Sequence, residues 1–578
     1  MNRKLRVLNF SLVLLGILIS LHYIMLVKAE PGTSIVIGTT DSVESCLDPA
    51  RAYDFFDWEI IKSLGSGLVE ISSEPVVGPD NIGASLATSW EASSDAKVWT
   101  FNLRQGVKFD DGTEFNASHV KYTFDRGIGI ADADGPFVGI GYDSLIENVT
   151  IAGKYTVEFC LKIPFSPFLS LLACPASCIV DPEYAPIDSI VTYVNGNARG
   201  SHPLGLGPYI LKNWTRIAGQ DYEMNLEANP YYWNSSGGYP RTGNLTIKFY
   251  GNSDDLAAAI ISGDIDIAYR QLTSEAIDLM RVNPGLRVWE GDGAFIQYLV
   301  FQEKYAPFNI TKTRQAVGAA INRTAIVHTV FQEKARKLCS LIPTGMFGHM
   351  DAFAKLGDPN YTLTRELLSS LGYNETNKLS FKLWYETSGH YPQSPQQAQV
   401  LKSSLEASGV ISVLLESRDW ASYRQARNDE IMEAYIYGWY PDYIDPDDYI
   451  QPFLDSSGGS WLHHNYNNTN MDQLIAWARG NTSSPTRNTL YSQIQSIMVD
   501  DSPIIPLYQW LVYCVTKPDI EAVYLDITES LRYDHIVPEF PSLAITPLFM
   551  IASLAAVILY RKIAAAPRLS AGRKFFYE

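Results

Sequence analysis

The sequence has few basic side chains for its length. Its 578 residues include 45 Lys and Arg against 63 Asp and Glu, so the formal net charge is −18 at pH 7. Nucleic-acid binding requires a face of Lys and Arg that neutralises phosphates, and this balance excludes a nucleic-acid partner. The chain also lacks G-x-S-x-G, H-E-x-x-H and G-x-x-x-x-G-K-[ST], which mark common hydrolases and nucleotide-binding enzymes. We therefore expect a protein that is not an enzyme and that binds no cofactor.

Cysteine and histidine are scarce as well, with six Cys and nine His. The Cys residues suit an oxidising compartment, although their order along the chain selects no disulfide pairing. A bridge between Cys174 and Cys178 is one possibility. A zinc site is not expected, because no second C-x-x-C pattern or spaced His pair accompanies these two Cys. The adjacent pair His463 and His464 is predicted to be solvated rather than to bind a metal.

Aromatic residues, by contrast, are abundant: the chain has 34 Tyr and 12 Trp, and its aromatic content is 12%. Large β-rich folds use Tyr freely, and a wide cleft lined with rings is the functional alternative. A chain of this length is too long for one hydrophobic core, which predicts about two to four domains.

Both ends of the chain carry apolar runs. Basic residues precede an apolar run over residues 7–27, which predicts a signal peptide over residues 1–29; an uncleaved membrane anchor is the alternative. Residues 543–560 contain no charged side chain, and residues 561–578 are basic. This pattern predicts a transmembrane helix over 543–560, a cytoplasmic basic tail over 561–578 and an acidic body on the extracellular side.

Sequons of the form N-x-Ser/Thr are frequent between these runs. They imply a glycosylated surface in a secreted protein, although Asn-rich turns with Ser and Thr nearby would give the same pattern. The candidate glycosylation sites are Asn116, Asn148, Asn213, Asn234, Asn244, Asn309, Asn322, Asn360, Asn374, Asn467 and Asn481.

The segment 86–126 carries the strongest local pattern, LATSWEASSDAKVWTFNLRQGVKFDDGTEFNASHVKYTFDR. Apolar residues alternate with polar ones over residues 98–103, which predicts a half-buried strand. After a turn, residues 107–109 are predicted to start another short strand. Asn116 is placed to cap a helix with Val120 among its inward positions.

This segment closely resembles the signature of the extracellular solute-binding proteins of peptide and nickel ABC transporters, called solute-binding family 5. That signature is a Trp-containing strand, F-x-L-R-x-G-V-K-F, D-G and a helix that opens with A-x-D-V. His119 stands where the family usually has Asp, and we expect this change to affect a helix N-terminus rather than a ligand. Further matches occur in family order from about residue 40 to 530; they include GLGPYIL at 205–211, NPYYW at 229–233, DIDIA at 264–268 and AINR at 320–323.

The resemblance implies an α/β fold of the periplasmic-binding-protein class II type. In this fold two lobes are joined by a hinge, an extra domain is inserted in the first lobe, and the ligand binds between the lobes. The predicted division is signal peptide 1–29, lobe I 30–80, 205–290 and 515–536, inserted domain 81–204, lobe II 291–514, linker 537–542, transmembrane helix 543–560 and basic tail 561–578. The linker segment VPEFP at 537–541 resembles the P-E-F sorting signal of some archaeal surface proteins. If that signal operates, the helix is removed and replaced by a lipid.

The candidate ligand site is the segment 438–446, GWYPDYIDP, which follows a predicted strand. In peptide-binding members of the family, the Asp at the position of Asp442 accepts the α-ammonium of the peptide. The resemblance thus implies Asp442 as an ammonium receptor and Trp439 as a wall of the site, with Tyr440 and Tyr443 also in contact with the ligand. The alternative is that Asp442 only hydrogen-bonds its own turn.

The predicted function is that of a monomeric, membrane-tethered solute-binding protein on the cell surface. It would deliver short peptides to an ABC permease and its ATPase subunits. An oligosaccharide is the alternative ligand, because some members stack sugars on Trp and Tyr. A surface glycoprotein that keeps the fold but no longer takes part in transport is an alternative of a different class. A secreted hydrolase is the least supported hypothesis, because the catalytic motifs are missing.

Overall fold

The structure is a computed structural model that describes residues 34–72, 77–525 and 527–538. The predicted signal peptide, transmembrane helix and basic tail lie outside these residues, as does the end of the predicted linker. Within the described ranges, no helix has both the length and the apolar character needed to cross a membrane.

The strands of the described residues are β1 (Ser34–Thr39), β2 (Val69–Ile71), β3 (Ile82–Ala84), β4 (Ala87–Ala92), β5 (Val98–Leu103), β6 (Ile146–Gly153), β7 (Thr156–Leu161), β8 (Tyr209–Ile217), β9 (Gln220–Ala228), β10 (Asn244–Phe249), β11 (Ile267–Tyr269), β12 (Arg287–Phe301), β13 (Ala335–Lys337), β14 (Leu379–Glu386), β15 (Ile411–Arg418), β16 (Ala434–Trp439), β17 (Ile504–Thr516), β18 (Ile520–Glu521) and β19 (Val537–Pro538).

The α-helices of the same residues are Phe55–Leu64, Ala117–Ile130, Tyr142–Leu145, Phe168–Leu172, Ser253–Ser262, Ser274–Arg281, Thr311–Ala320, Arg323–Ala325, Tyr361–Ser369, Ser394–Glu406, Trp420–Asn428, Asp447–Leu454, Thr469–Arg479 and Ser484–Asp501. Phe137–Gly141 and Ile326–Val330 are π-helical.

One large mixed sheet runs through the molecule in the order β15-β14-β16-β12-β17-β11-β1-β10-β9-β8, with β13 paired to β17. The N-terminal strand β1 lies between β10 and β11 and is parallel to both. Residues 34–39 therefore share a sheet with residues 209–269, although residues 81–204 separate them in sequence. A second, antiparallel sheet is formed by β4, β5, β7 and β6 within that intervening segment.

The two long strands β12 and β17 connect the halves of the large sheet. At one end, residues 287–292 of β12 pair with residues 511–516 of β17, and this part of β17 also pairs with β11. At the other end, residues 296–300 of β12 pair with residues 504–509 of β17. The register shifts between Asp292 and Ile296, which is the local bend expected of a β-bulge. A Cβ at Gly293 would lie 2.9 Å from the Trp510 carbonyl oxygen, so the strands approach closely there. The predicted lobe boundaries at 290/291 and 514/515 fall inside these strands, and the division of the chain remains a prediction.

The helix that follows β5 begins as its sequence predicts. Asn116 Oδ1 accepts a hydrogen bond of 2.8 Å from the Ser118 backbone N–H, and His119 Nδ1 accepts one of 3.2 Å from the Asn116 N–H. Together they form a capping box, so His119 acts at the helix N-terminus. The predicted strand at 98–103 is confirmed as β5. A strand at 107–109 was the wrong expectation, because only an isolated bridge joins Lys108 to Glu114.

One member of the histidine pair is buried, and the cysteines form no disulfide among the described residues. His463 is exposed, but His464 is fully buried, and burial lowers the pKa of its imidazole to about 3. The expectation of a solvated pair is therefore wrong for His464. Each of the six Cys is a free thiol among the described residues, so the structure contains no bridge between Cys174 and Cys178.

The sequon asparagines differ in exposure and in local role. Asn322 and Asn360 are half-buried caps of short helices: their side-chain oxygens accept hydrogen bonds from Ala325 N–H and Leu363 N–H. Helix capping explains Asn at these positions without a glycan. Exposed members of the set are Asn148, Asn213, Asn244, Asn309, Asn374 and Asn467. Glycosylation at these positions stays a prediction.

Candidate functional site

A cavity of about 510 Å³ lies where the two halves of the large sheet meet. Tyr53 and Phe55 reach it from the segment that follows β1, and Tyr440 and Asp442 reach it from the loop that follows β16. Residues 510–513 of β17 line it from the connecting strands. Its volume lies within the range of about 300–1,000 Å³ that is usual for small-molecule sites.

The loop after β16 is held by the helix Asp447–Leu454. Asp448 Oδ2 accepts hydrogen bonds from the Asp442 backbone N–H at 2.7 Å and from Trp439 Nε1 at 3.2 Å. Beneath the loop, Arg487 forms two hydrogen bonds with Asp445, of 2.9 and 2.5 Å. Both side chains of this ion pair are almost completely buried. Asp445 is thus a support for the loop, and the Asp442 carboxylate is left to face the cavity.

Asp442 does not bond its own turn through its side chain. Its Oδ1 accepts a hydrogen bond of 2.6 Å from the Tyr53 hydroxyl, which belongs to the other half of the molecule. Burial raises the pKa of Asp442, and the hydrogen bond from Tyr53 opposes this effect. Burial and the neighbouring Asp442 also raise the pKa of Asp448 well above its ordinary value. A ligand cation that arrives at Asp442 would stabilise the ionised form of this carboxylate.

The four predicted site residues divide into two pairs. Asp442 and Tyr440 line the cavity, and the Tyr440 ring lies 4.6 Å from the Phe295 ring of β12. Trp439 instead packs edge-on against Phe453 and Trp461, with both centroid distances 5.1 Å. The Tyr443 hydroxyl donates to Asp447 Oδ2 at 2.8 Å. Neither Trp439 nor Tyr443 is among the residues that line the cavity.

The sequence did not indicate a second charged cluster in this cavity. Arg270 and Gln271 directly follow β11 with φ angles of 66° and 52°, a left-handed conformation that non-glycine residues rarely adopt. Gln271 Nε2 donates to Asp41 Oδ1 at 2.8 Å. Arg270 Nη2 donates to Glu59 Oε2 at 3.2 Å and to the Glu529 carbonyl oxygen at 2.6 Å.

A signal for this cluster was present in the order of the strands. Asp41 follows β1 and Arg270 follows β11, and these two strands are parallel neighbours. The carboxyl ends of adjacent parallel strands meet at one edge of a sheet, which is where α/β folds bind ligands. Pairing β1 with β11 from the sequence would have placed both side chains in the site.

Glu529 links this cluster to the β-bulge of β12. Its Oε1 accepts hydrogen bonds from the backbone N–H groups of Ala294 at 2.5 Å and Phe295 at 3.3 Å, within the β-bulge of β12. Burial raises the pKa of Glu529, while the nearby Arg270 lowers it. No group of three or more His, Cys, Asp or Glu side chains in the described part of the chain is arranged to hold a metal ion.

Comparison with known proteins agrees with this architecture. A family model described as bacterial extracellular solute-binding proteins, family 5 Middle, matches residues 81–461. Because this match covers more than half of the chain, the protein belongs to family 5 of the bacterial extracellular solute-binding proteins. The probable D,D-dipeptide-binding periplasmic protein DdpA of Escherichia coli (strain K12) is 28% identical over 509 residues, which cover 87% of this chain and 94% of that protein.

Solved structures share the fold. HbpA2 from Haemophilus parasuis matches with a TM-score of 0.76 at 22% identity, and the match covers 88% of this chain and 100% of that one. The periplasmic murein tripeptide binding protein MppA, in its unliganded open form, matches with a TM-score of 0.75 at 22% identity, over 89% of this chain and 98% of that one. The chain therefore has the mixed α/β, two-lobe fold of periplasmic binding proteins.

Proposed function

We propose that this protein is an extracellular, membrane-tethered receptor that binds short peptides between its two lobes and delivers them to an ABC importer. The observation that carries the proposal is the position of Asp442. This half-buried carboxylate faces a cavity at the hinge and is bonded to Tyr53 of the opposite lobe. A charge-assisted hydrogen bond from the amino terminus of a peptide to such a carboxylate is strong because the surroundings are poorly solvated.

An adjoining cavity is the candidate position for a free carboxyl terminus of the peptide. A second cavity, of about 790 Å³, shares Lys334 and Leu511 with the first. Its cations are Arg281, Lys334, Arg336 and Lys337, and its carboxylates are Asp278, Glu290 and Glu333. We place the amino terminus of the peptide at Asp442 and its carboxylate toward the cations of this cavity, which it would share with their present carboxylate partners. A bound peptide that contacts both lobes would then stabilise the closed state of the protein.

The names of the relatives favour the same ligand class. The Escherichia coli relative is described as a D,D-dipeptide-binding protein, and the structural relative MppA as a murein tripeptide binding protein.

An oligosaccharide is the second candidate, because the rings of Tyr53, Phe55, Trp58 and Tyr440 line the cavity and aromatic faces stack on sugars. The first experiment is mass spectrometry of the ligand that copurifies with the protein, followed by calorimetry with a peptide library and a sugar set. Binding of sugars and of no peptide would overturn the proposal.

The tether and the cellular location are part of the proposal. They rest on the apolar runs at 7–27 and 543–560 and on the basic tail, which lie outside the described residues. We propose that the protein acts as a monomer on the outer side of the plasma membrane, with exposed sequons such as Asn148 and Asn213 carrying glycans. An archaeal P-E-F-type sorting signal at 537–541 is proposed on the same sequence grounds.

A further inference from the structure

The charged side chains that line the first cavity do not balance. Its carboxylates belong to Asp41, Asp54, Asp442 and Glu529, and its cations to Arg270 and Lys334. Both cations already have carboxylate partners: Lys334 Nζ lies 2.7 Å from Asp278 Oδ1, and Arg270 Nη2 lies 3.2 Å from Glu59 Oε2. The wall of the cavity therefore keeps an excess of negative charge, which favours a ligand with more than one positive charge.

Two of these carboxylates serve the backbone of the protein. Asp54 Oδ1 accepts a hydrogen bond of 2.9 Å from the Phe56 N–H and caps the helix Phe55–Leu64. Glu529 Oε1 accepts from the N–H groups of the hinge bulge. A ligand would compete with structural hydrogen bonds at either position. Asp442, which accepts from the Tyr53 hydroxyl, is already assigned to the amino terminus of the ligand.

Asp41 is different because one of its oxygens has no donor. Its side chain is 10% exposed and lines the cavity. Oδ1 accepts from Gln271 Nε2, whereas Oδ2 is buried and has no hydrogen-bond partner among the described residues. Arg270 Nε lies 3.5 Å from Oδ2, which is too far for a good hydrogen bond. A buried carboxylate oxygen in this state is destabilising until a donor reaches it.

We propose that Asp41 is a second cation receptor and that the site selects short peptides with a Lys or Arg side chain as well as a free amino terminus. The inference rests on the proposed function, in which Asp442 receives the amino terminus. The side-chain ammonium or guanidinium of the ligand would donate to Asp41 Oδ2 and supply the hydrogen bond that Arg270 does not complete.

The electrostatics of Asp41 agree with this role. Burial raises the pKa of Asp41 to about 6, Arg270 lowers it, and Glu59 and Asp54 raise it. Arg270 thus offsets only part of the cost of ionising Asp41 when no ligand is bound. A ligand cation would add the missing charge. A ligand carboxylate would not be stabilised here, since Asp41 and Glu59 already surround Arg270.

The test compares ligands that differ in one charge. Calorimetry on the purified full-length protein would measure Ala-Lys against Ala-norleucine, and Lys-Ala against norleucine-Ala, because the two side chains have similar length. We expect at least one lysine peptide to bind about ten- to a hundredfold more tightly than its partner, the usual scale for a hydrogen bond between charged groups. Asp41→Asn should reduce that ratio to about one, and Asp41→Glu should keep part of it.

Two controls separate the possible failures. Asp519 is exposed and does not line the cavity, so Asp519→Asn should keep the ratio of the parent protein. If none of the peptides binds, the proposed function itself fails. If the norleucine peptides bind as tightly as the lysine peptides, or if the lysine preference survives in Asp41→Asn, the role of Asp41 is overturned while peptide binding stands. Should Asp41→Asn not fold, Asp41→Glu decides: an unchanged lysine preference in that variant would overturn the role of Asp41.

Discussion

The Tyr53 hydroxyl donates a hydrogen bond of 2.6 Å to Asp442 Oδ1 across 389 positions of sequence. Tyr53 belongs to the half of the molecule that contains β1, and Asp442 follows β16 in the other half. The bond lies on the wall of the cavity and joins the two halves of the molecule at the proposed ammonium receptor.

Removal of the Tyr53 hydroxyl should weaken peptide binding near neutral pH. In Tyr53→Phe, the pKa of Asp442 rises further, because the hydrogen bond that lowers it is gone. The ionised fraction of Asp442 falls, and peptide affinity at pH 7 should drop about three- to tenfold, the scale of an ordinary hydrogen bond. Calorimetry across pH 5–8 should also show the midpoint of binding at higher pH than in the parent. A midpoint at the same or a lower pH would show that Tyr53 does not act through Asp442.

The ion pair under the site loop should be a major contributor to stability. Arg487 and Asp445 are 1% and 0% exposed, so Asp445→Asn leaves a buried guanidinium without its counter-charge. We expect a loss of about 3–5 kcal/mol in the free energy of unfolding, measured by urea denaturation. The double variant Asp445→Leu/Arg487→Met should lose less than Asp445→Asn, because it leaves no unpaired charge. A double variant that is less stable than the single one would contradict this explanation.

Asp41 should make stability depend on pH in a defined direction. Its pKa of about 6 in the folded protein lies above the ordinary value of about 3.9 in an unfolded chain. Between these values the folded state binds more protons, so stability decreases as the pH rises from about 4 through 6. Asp41→Asn should therefore raise the free energy of unfolding at pH 7 by about 3 kcal/mol and change it little at pH 4. Thermal unfolding of parent and variant at both pH values is the measurement; a destabilised variant at pH 7 would refute the argument.

The membrane anchor can be tested by truncation. The truncated protein should end at Pro538, because β19 pairs with β18 and Ile536 is fully buried. The full-length protein should fractionate with membranes, and a protein that ends at Pro538 and lacks the N-terminal run should be soluble. Identical fractionation of the two proteins would remove the case for an anchor at 543–560.

Local chemistry explains which elements the sequence predicts well. The strand β5 and the cap at Asn116 depend on residues within a few positions of each other, so alternation and capping rules locate both. The order of family motifs likewise predicts that residues 30–80 and 205–290 belong to one lobe, and β1 and β10, one from each range, pair in one sheet.

Tertiary packing explains what the sequence does not reveal. Trp439 was expected to form a wall of the site, but its place against Phe453 depends on where the helix Asp447–Leu454 docks. The Asp41–Gln271 hydrogen bond joins residues 230 positions apart, and its geometry depends on the left-handed backbone at Arg270 and Gln271. No local pattern encodes either relationship, because Asp41 and Arg270 come together only when β1 pairs with β11.

The most direct test of peptide binding at Asp442 is a double-mutant cycle between the protein and its ligand. Asp442→Asn should weaken binding of a free dipeptide by about 1.5–3 kcal/mol, the scale of a hydrogen bond to a charged group. N-acetylation of the same peptide should cost the parent protein a similar amount and should cost the variant little more, because both changes remove one interaction. Calorimetry supplies all four dissociation constants. Equal affinity of parent and variant for the free and acetylated peptides would show that Asp442 does not receive the amino terminus.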